Sequence, residues 1–280
     1  MSVASLAVVT PAPATLDTLV ADLEAEHLDL DRLVADLDEP EWNTATPAEG
    51  WVVRDAISHL AFFDDAAVMA MTDPEAFTAM AQAAVAAGGD PMAEHLRQGR
   101  EMSGHDLLLW WRTARATLIG EAAKLDPKVR VPWFGPPMGT LSFVSARLME
   151  TWAHGQDVAD ALGTTRLPTA RLRHIAHIGV HARPYAYIVR GLERPTVRVA
   201  VELTGPGGEH WAWDDDVSAT DAVRGDALDF CLVVTQRRNI ADTTLELVGD
   251  AAKDWMAIAQ AFAGPPSAGR PPLGDAVRPR

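Results

Sequence analysis

From Leu16 to Leu37 the apolar positions Leu16, Leu19, Val20, Leu23, Leu30, Leu33, Val34 and Leu37 recur at spacings of three and four, with acidic residues between them. That period predicts an amphipathic helix. His27 falls on its apolar stripe, where it would face a helical interior as a structural histidine. A turn-rich stretch with Pro40, Trp42, Pro47 and Gly50 leads into a second helix from about Trp51 to Met71. Asp73-Pro74 opens a shorter alanine-rich segment to Ala87, closed by Gly88-Gly89, and another helix is predicted from Pro91 to Met102. Ser103, with Asp106 one turn on, starts a helix carrying Leu107, Leu108, Trp110, Trp111, Ala114, Leu118 and Ala122, which Pro127 ends. A further helix is predicted from Ser142 to Leu162. Between these last two, Val131 to Gly139 holds three prolines, two glycines, Trp133 and Phe134. The prolines and glycines oppose regular structure while the aromatics seek burial. Such a loop either packs at the mouth of a site or plugs one end of the helices.

Beyond a break at 163–168 the pattern changes. Arg171 to Gly191 predicts a helix kinked at Pro184. Thr196 to Thr204 alternates Val197, Val199, Val201 and Leu203 with Arg198, Ala200, Glu202 and Thr204, as a half-buried strand does, and Gly205 to Gly208 turns it into a hairpin with Glu209 to Trp213. A helix from Asp226 to Gln236, a strand from Thr244 to Val248 and a terminal helix from Ala251 to Phe262, begun by Asp250, complete the pattern. The expected class is all-α followed by α+β. A disordered leader at 1–14 precedes helices over 15–165, then a connecting helix and α+β domain over 166–264, then a Pro/Gly-rich tail at 265–280.

Composition narrows the function. At 280 residues, 48% hydrophobic and 22% charged, the chain is globular. Its formal charge of −15 opposes nucleic-acid binding, since neutralising phosphates takes Lys and Arg; the arginines of the tail, Arg270, Arg278 and Arg280, are too scattered to reverse that. No stretch is long and apolar enough to cross a bilayer, and the leader lacks a positively charged segment, so a soluble cytoplasmic protein is expected, without membrane partners. Lysine occurs only at Lys124, Lys128 and Lys253, and arginine and alanine dominate, a usage compatible with a GC-rich actinobacterial genome. The lone Cys231 cannot form an internal disulfide and sits in an apolar run, as a buried small hydrophobe rather than a nucleophile.

Three groups of residues carry candidate chemistry. Glu150, His154 and Asp157 project from one stripe of the Ser142 helix, with Ala146, Ala153 and Ala161 beside them and Val144, Leu148 and Trp152 on another side. This is either a pair of metal ligands beside open space or a solvated helical face. His59, in Trp51-x-Val53-Arg54-Asp55-x-x-x-His59, has largely apolar helical neighbours, including Phe62 and Phe63; it is either a ligand or a buried histidine bonded to a backbone carbonyl. His174, His177 and His181 share one helical face, but Arg171, Arg173, Arg183 and Arg190 around them oppose a cation, so a basic face toward the bundle or an anionic ligand is preferred over a second metal site.

The pairing of the His59 segment with Glu150-x-x-x-His154 resembles the metal-binding helices of DinB-like four-helix bundles, specifically the N-terminal domain of mycothiol-dependent maleylpyruvate isomerases and their actinobacterial relatives. The resemblance implies that His59, Glu150 and His154 hold one divalent metal, zinc first, with iron, nickel or cobalt as the other candidates. It implies a sterol-carrier-like α+β domain after the bundle. It also implies an arginine at the end of the Asp226 segment, facing the active-site cleft. That end reads Thr235-Gln236-Arg237-Arg238 and departs from the family's Gly-Arg pair; Arg237 is nominated over Arg238.

Two imidazoles and one carboxylate leave a tetrahedral zinc an open position, and the same set suits ferrous iron. Asp157 would orient His154 from behind or be simply an exposed residue. The resemblance names the exogenous ligand as a low-molecular-weight thiol, mycothiol. The expected function is therefore a metal- and mycothiol-dependent isomerase or S-transferase acting on a small electrophilic, anionic substrate. A metal-binding or acyl/lipid-binding protein without turnover is the rival, and a metal hydrolase using bound water is the third reading.

Overall fold

A computed structural model describes residues 14–88, 93–213 and 219–274. The predicted leader, except its last residue, lies outside the described residues, as do Gly89, the Pro91 start of one predicted helix and the end of the tail. The chain divides into two compact units, Ala14–Arg166 and a second from Leu167 onward.

The first unit is helical. Helix α1 (Leu16–Val34) opens on Thr15, whose hydroxyl accepts the Thr18 amide. The short α2 (Glu39–Trp42) follows, then α3 (Val53–Thr72), α4 (Pro74–Ala87), α5 (Ala93–Glu101), α6 (Gly104–Ala122) and, after a loop, α7 (Thr140–Ala161). The long helices α1, α3, α6 and α7 pack against one another, α3 most extensively on α6 and α1 on α7. Leu30, Val34, Trp42, Ile57, Leu60, Leu107, Trp111 and Val158 meet in a core from which water is excluded. Burying each large side chain is worth about 1.5–3 kcal/mol. Two close approaches shape the unit. A Cβ on Gly104 would lie 2.3 Å from the Trp42 ring, and one on Gly99 would lie 2.3 Å from Ser58 Cβ. Glycine at 99 thus lets α5 settle on α3 beside His59.

The 131–139 stretch is not wholly irregular. Its ends pair as two-residue antiparallel strands, β1 (Arg130–Val131) and β2 (Met138–Gly139). The prolines fall between the paired residues, where no ladder bond is required of them. At the tip Trp133 stacks on Phe77 (5.6 Å, 2°) and meets Phe143, while Phe134 packs on Phe63.

In the second unit the segment predicted as one kinked helix is two, α8 (Leu172–His181) and α9 (Arg183–Ile188). Pro184 stands in the first turn of α9, where its missing N–H breaks no helical bond. A four-stranded sheet follows in the order β4-β3-β5-β6, with β3 at Val199–Thr204, β4 at His210–Trp213, β5 at Asp221–Asp226 and β6 at Glu246–Val248. The hairpin β3–β4 and the pair β5–β6 are antiparallel, whereas β3 and β5 are parallel. Strand β5 was not predicted. Its sequence Asp-Ala-Val-Arg-Gly-Asp offers no apolar alternation, and its buried Asp221 is satisfied by the backbone N–H of Ala251 at 2.8 Å. Helices α10 (Ala227–Val234) and α11 (Asp250–Ile258) complete the unit. The terminal helix is shorter than predicted because Ala259 turns extended and Ala261 donates to the Val234 carbonyl instead. Among the described residues no helix is long and apolar enough to cross a membrane.

Candidate metal centre

The start of α3 explains why Trp51-x-Val-Arg-Asp precedes His59. Asp55, fully buried, accepts the Val52 amide at 2.9 Å and a forked pair of bonds from Arg100 of α5, both 2.8 Å. Arg54 pairs with Glu39 at 2.8 Å and donates to the Met102 carbonyl at 2.8 Å. The Val52 bond caps α3, and the bonds to Arg100, Glu39 and Met102 tie its first turn to neighbouring segments, so the next turn presents His59 at a fixed height. Trp51 lies parallel on the His154 ring at 5.5 Å and 7°, and 5.4 Å from His59.

Across from α3, helix α7 supplies Glu150 and His154. Glu150 Oε2 lies 3.5 Å from His154 Nε2 and 3.9 Å from His59 Nε2. One donor atom from each of His59, Glu150 and His154 falls within 4.8 Å of the others, and no other group of three or more His, Cys, Asp or Glu does so among the described residues. Ligands at about 2.0–2.1 Å from a tetrahedral ion stand about 3.3 Å apart, so small side-chain rotations would close the set. Both imidazoles are nearly buried, while the Glu150 side chain keeps 23% of its surface exposed.

Electrostatics favour the ligand forms. Burial pushes His59 down to about 3, outweighing the hydrogen bond that the ring can donate to Glu150, and the nearby His154 and His95 push the same way. It is neutral at pH 7. Burial opposes ionisation of Glu150, but His154 and His59 together hold its carboxyl well below the usual range. A neutral imidazole and an ionised carboxylate are what a divalent ion requires of its ligands. The buried Nδ1 of His59 has no hydrogen-bond partner among the described residues. Asp157, itself buried, places Oδ2 3.4 Å from His154 Nδ1, on the far side of that ring from Glu150.

Two neighbours extend the site beyond the three proposed ligands, His95, which the sequence did not single out, and Phe63, which it placed beside His59. His95, in the polar helix α5, has its ring 5.5 Å from that of His59 and stacked on Phe62 at 4.7 Å and 14°. Leu96 is the one large aliphatic residue of that helix, and nothing in its sequence said that it covers the histidines. Phe63 lies 4.6 Å from His59 and joins it to the Trp133–Phe134 loop tip. The loop therefore reaches the layer of side chains next to the histidines.

The other candidates lie elsewhere. His27 is buried, with Nε2 3.8 Å from Asp64 Oδ2. His177 and His181 rings approach to 4.2 Å, and Trp213 Nε1 donates to His177 Nδ1 at 3.3 Å, but the three histidines of α8 do not converge as a ligand set. Burial pushes His177 down to about 4, with its neighbours His181 and His174 adding to the effect. Cys231 is buried, donates to the Leu172 carbonyl and has its thiol pushed well above the usual range by that burial. Arg237 belongs to the second unit, just past α10, and its Nη1 donates to the Thr235 carbonyl at 2.7 Å. Gln236 before it has φ +61°, the left-handed conformation that favours glycine.

Known proteins place these observations. Residues 23–159 match the mycothiol maleylpyruvate isomerase N-terminal domain. Two uncharacterized proteins of Mycobacterium tuberculosis, from strains CDC 1551 / Oshkosh and ATCC 25618 / H37Rv, are each 46% identical over 251 residues, covering 90% of this chain and 97% of the relative. The crystal structures of mycothiol-dependent maleylpyruvate isomerase and of a point mutant of it share the fold, with TM-score 0.55 at 16% identity over 80% of this chain and 90% of theirs. Closely related to the mycobacterial pair over nearly its whole length, the chain belongs to the family that carries the mycothiol maleylpyruvate isomerase N-terminal domain.

Proposed function

We propose that the protein is a cytoplasmic, metal-dependent enzyme that uses mycothiol to isomerise, or to form a thioether with, a small electrophile. In this reading the helical unit is a DinB-like four-helix bundle and the second unit a sterol-carrier-like domain. The observation that carries it is the convergence of His59, Glu150 and His154 within 4.8 Å, with the Glu150 side chain partly exposed.

Those three side chains would hold the ion, zinc first, and Asp157 would accept the Nδ1 proton of His154, fixing the ring's tautomer and plane. Trp51 holds the same ring from its face. A bound divalent ion would raise the ionised fraction of a coordinated thiol by roughly thirtyfold, worth about 2 kcal/mol. Positioning supplies much of the remaining acceleration, because a thiol of lower pKa is also less nucleophilic. In the isomerase version sulfur adds to an activated double bond, the resulting single bond rotates, and elimination regenerates the thiol and the trans product. In the transferase version the adduct is released.

Arg237 is assigned to the substrate's carboxylate. The left-handed backbone at Gln236 is the conformation a glycine adopts readily, which supports Gln236-Arg237, ahead of Arg238, as the counterpart of the Gly-Arg pair that the resemblance implies. The test is thiol-dependent consumption of maleylpyruvate, or conjugation of electrophiles, by metal-loaded protein. A protein that binds metal but no thiol would be the non-catalytic rival, and hydrolysis without added thiol would make it a metal hydrolase.

A further inference from the structure

A second polar cluster lies inside the helical unit, separate from the histidine and glutamate set. Asp64 of α3 is fully buried, and Arg147 of α7 and His27 of α1 are almost so. Arg147 donates to Asp64 Oδ1 from Nη2 at 3.0 Å and from Nε at 3.3 Å. His27 stands edge-on to Trp111 of α6 at 6.0 Å and 88°, and Arg115 covers the Trp111 ring at 4.4 Å. A core this polar needs a reason. Apolar residues of similar volume in place of a buried ion pair are often neutral or stabilising, because desolvating two charges offsets their attraction.

The pair joins the two helices that carry the proposed ligands. His59 meets Glu150 and His154, and further along α3 Asp64 meets Arg147, which precedes Glu150 on α7; the two helices are therefore antiparallel here. Asp64 lies five residues past His59, about 7.5 Å along the axis, and Arg147 three residues before Glu150, about 4.5 Å. Apolar side chains slide past one another at little cost, whereas a fork donating to one carboxylate oxygen does not. A slip of one turn would displace Glu150 and His154 by about 5.4 Å along the axis relative to His59.

We propose that the Asp64–Arg147 ion pair is a positioning strut, which fixes the register of α3 against α7 so that His59, Glu150 and His154 stay within reach of one ion. The proposal rests on the metal-site reading above. Burial pushes the Asp64 carboxyl up to about 6 against the pull of Arg147, the desolvation that a buried carboxylate meets even beside a guanidinium.

The test replaces both members at once, Asp64→Leu with Arg147→Met, so that no lone charge is left in the core. Thermal unfolding of metal-free protein, cobalt affinity by competition with a chromophoric chelator, and the visible spectrum of the cobalt-loaded site are measured beside the wild type. The expected result is a midpoint equal to or above that of the wild type, cobalt affinity at least tenfold weaker, and an altered spectrum. Wild-type affinity and spectrum in the double variant would overturn the strut while leaving the metal site standing. Failure of the wild type to bind cobalt at all would overturn both. Should the double variant not fold, Arg147→Lys decides, since it keeps the charge and loses the fork: a three- to tenfold weaker cobalt affinity supports the strut, and unchanged affinity overturns it.

Discussion

The rings of His59 and His154 approach to 4.6 Å between centroids although they belong to different helices, and Glu150 reaches toward both. A divalent ion bound there stabilises only the folded chain. At a hundredfold excess over its dissociation constant it adds about 2.7 kcal/mol. Zinc is therefore expected to raise the melting temperature of the wild type, and to leave that of Glu150→Gln nearly unchanged, as read by calorimetry with and without a chelator.

Trp51 lies flat against His154. Loss of that ring removes about 1 kcal/mol of packing that holds the imidazole plane. Trp51→Ala is expected to weaken metal binding three- to tenfold in a chelator competition, and Trp51→Phe to restore most of it.

Acid sensitivity should depend on His27. Burial lowers its folded pKa from 6.5 to about 3, so the unfolded chain binds more protons across that window and stability falls as the pH falls through it. His59 acts in the same sense in metal-free protein. Asp64 acts oppositely: its folded value is raised from 3.8 to about 6, so its contribution is present at low pH and lost as the pH rises through about 6. The histidines outnumber it. His27→Gln is expected to reduce the slope of stability against pH, between pH 3 and 6.5, by up to about 1.4 kcal/mol per unit. Urea titrations of metal-free protein at several pH values measure this, and an unchanged slope would place the sensitivity elsewhere.

Arg237 and Arg238 are separable by kinetics. A charged hydrogen bond to a carboxylate is worth about 1.5–3 kcal/mol, so Arg237→Ala should raise KM for an anionic electrophile 10- to 100-fold while changing that for a neutral one little. Arg238→Ala should leave both within about twofold. The reverse pattern would reassign the carboxylate's partner.

Cys231 should be silent in native protein. It is buried and its thiol is held protonated, so a chromogenic disulfide reagent is expected to react only after unfolding. Fast labelling of folded protein would contradict the burial.

The helices were legible because their apolar residues keep a period of three and four over many turns: α1, α3 and α6 begin within two residues of where Leu16, Trp51 and Ser103 place them. The exceptions share a cause. Strand β5 and the break between α8 and α9 are set by tertiary partners and by a proline's position in a first turn, neither of which leaves a periodic trace. Within the site, Glu150 and His154 were a visible pair because one helix spaces them. That His59 approaches them was carried by family resemblance, since periodicity within one helix says nothing of which helix faces it. The same gap hid His95 and the Asp64–Arg147 pair, since the residues that bury them come from other helices.

The most direct measurement is the metal content of purified protein beside its His154→Ala variant, followed by titration of the cobalt-loaded wild type with mycothiol. One equivalent of divalent ion in the wild type, its loss in the variant and a spectral change on adding the thiol are expected of a site with an open position for sulfur. Equal metal content in both proteins, or a cobalt spectrum indifferent to mycothiol, would contradict it.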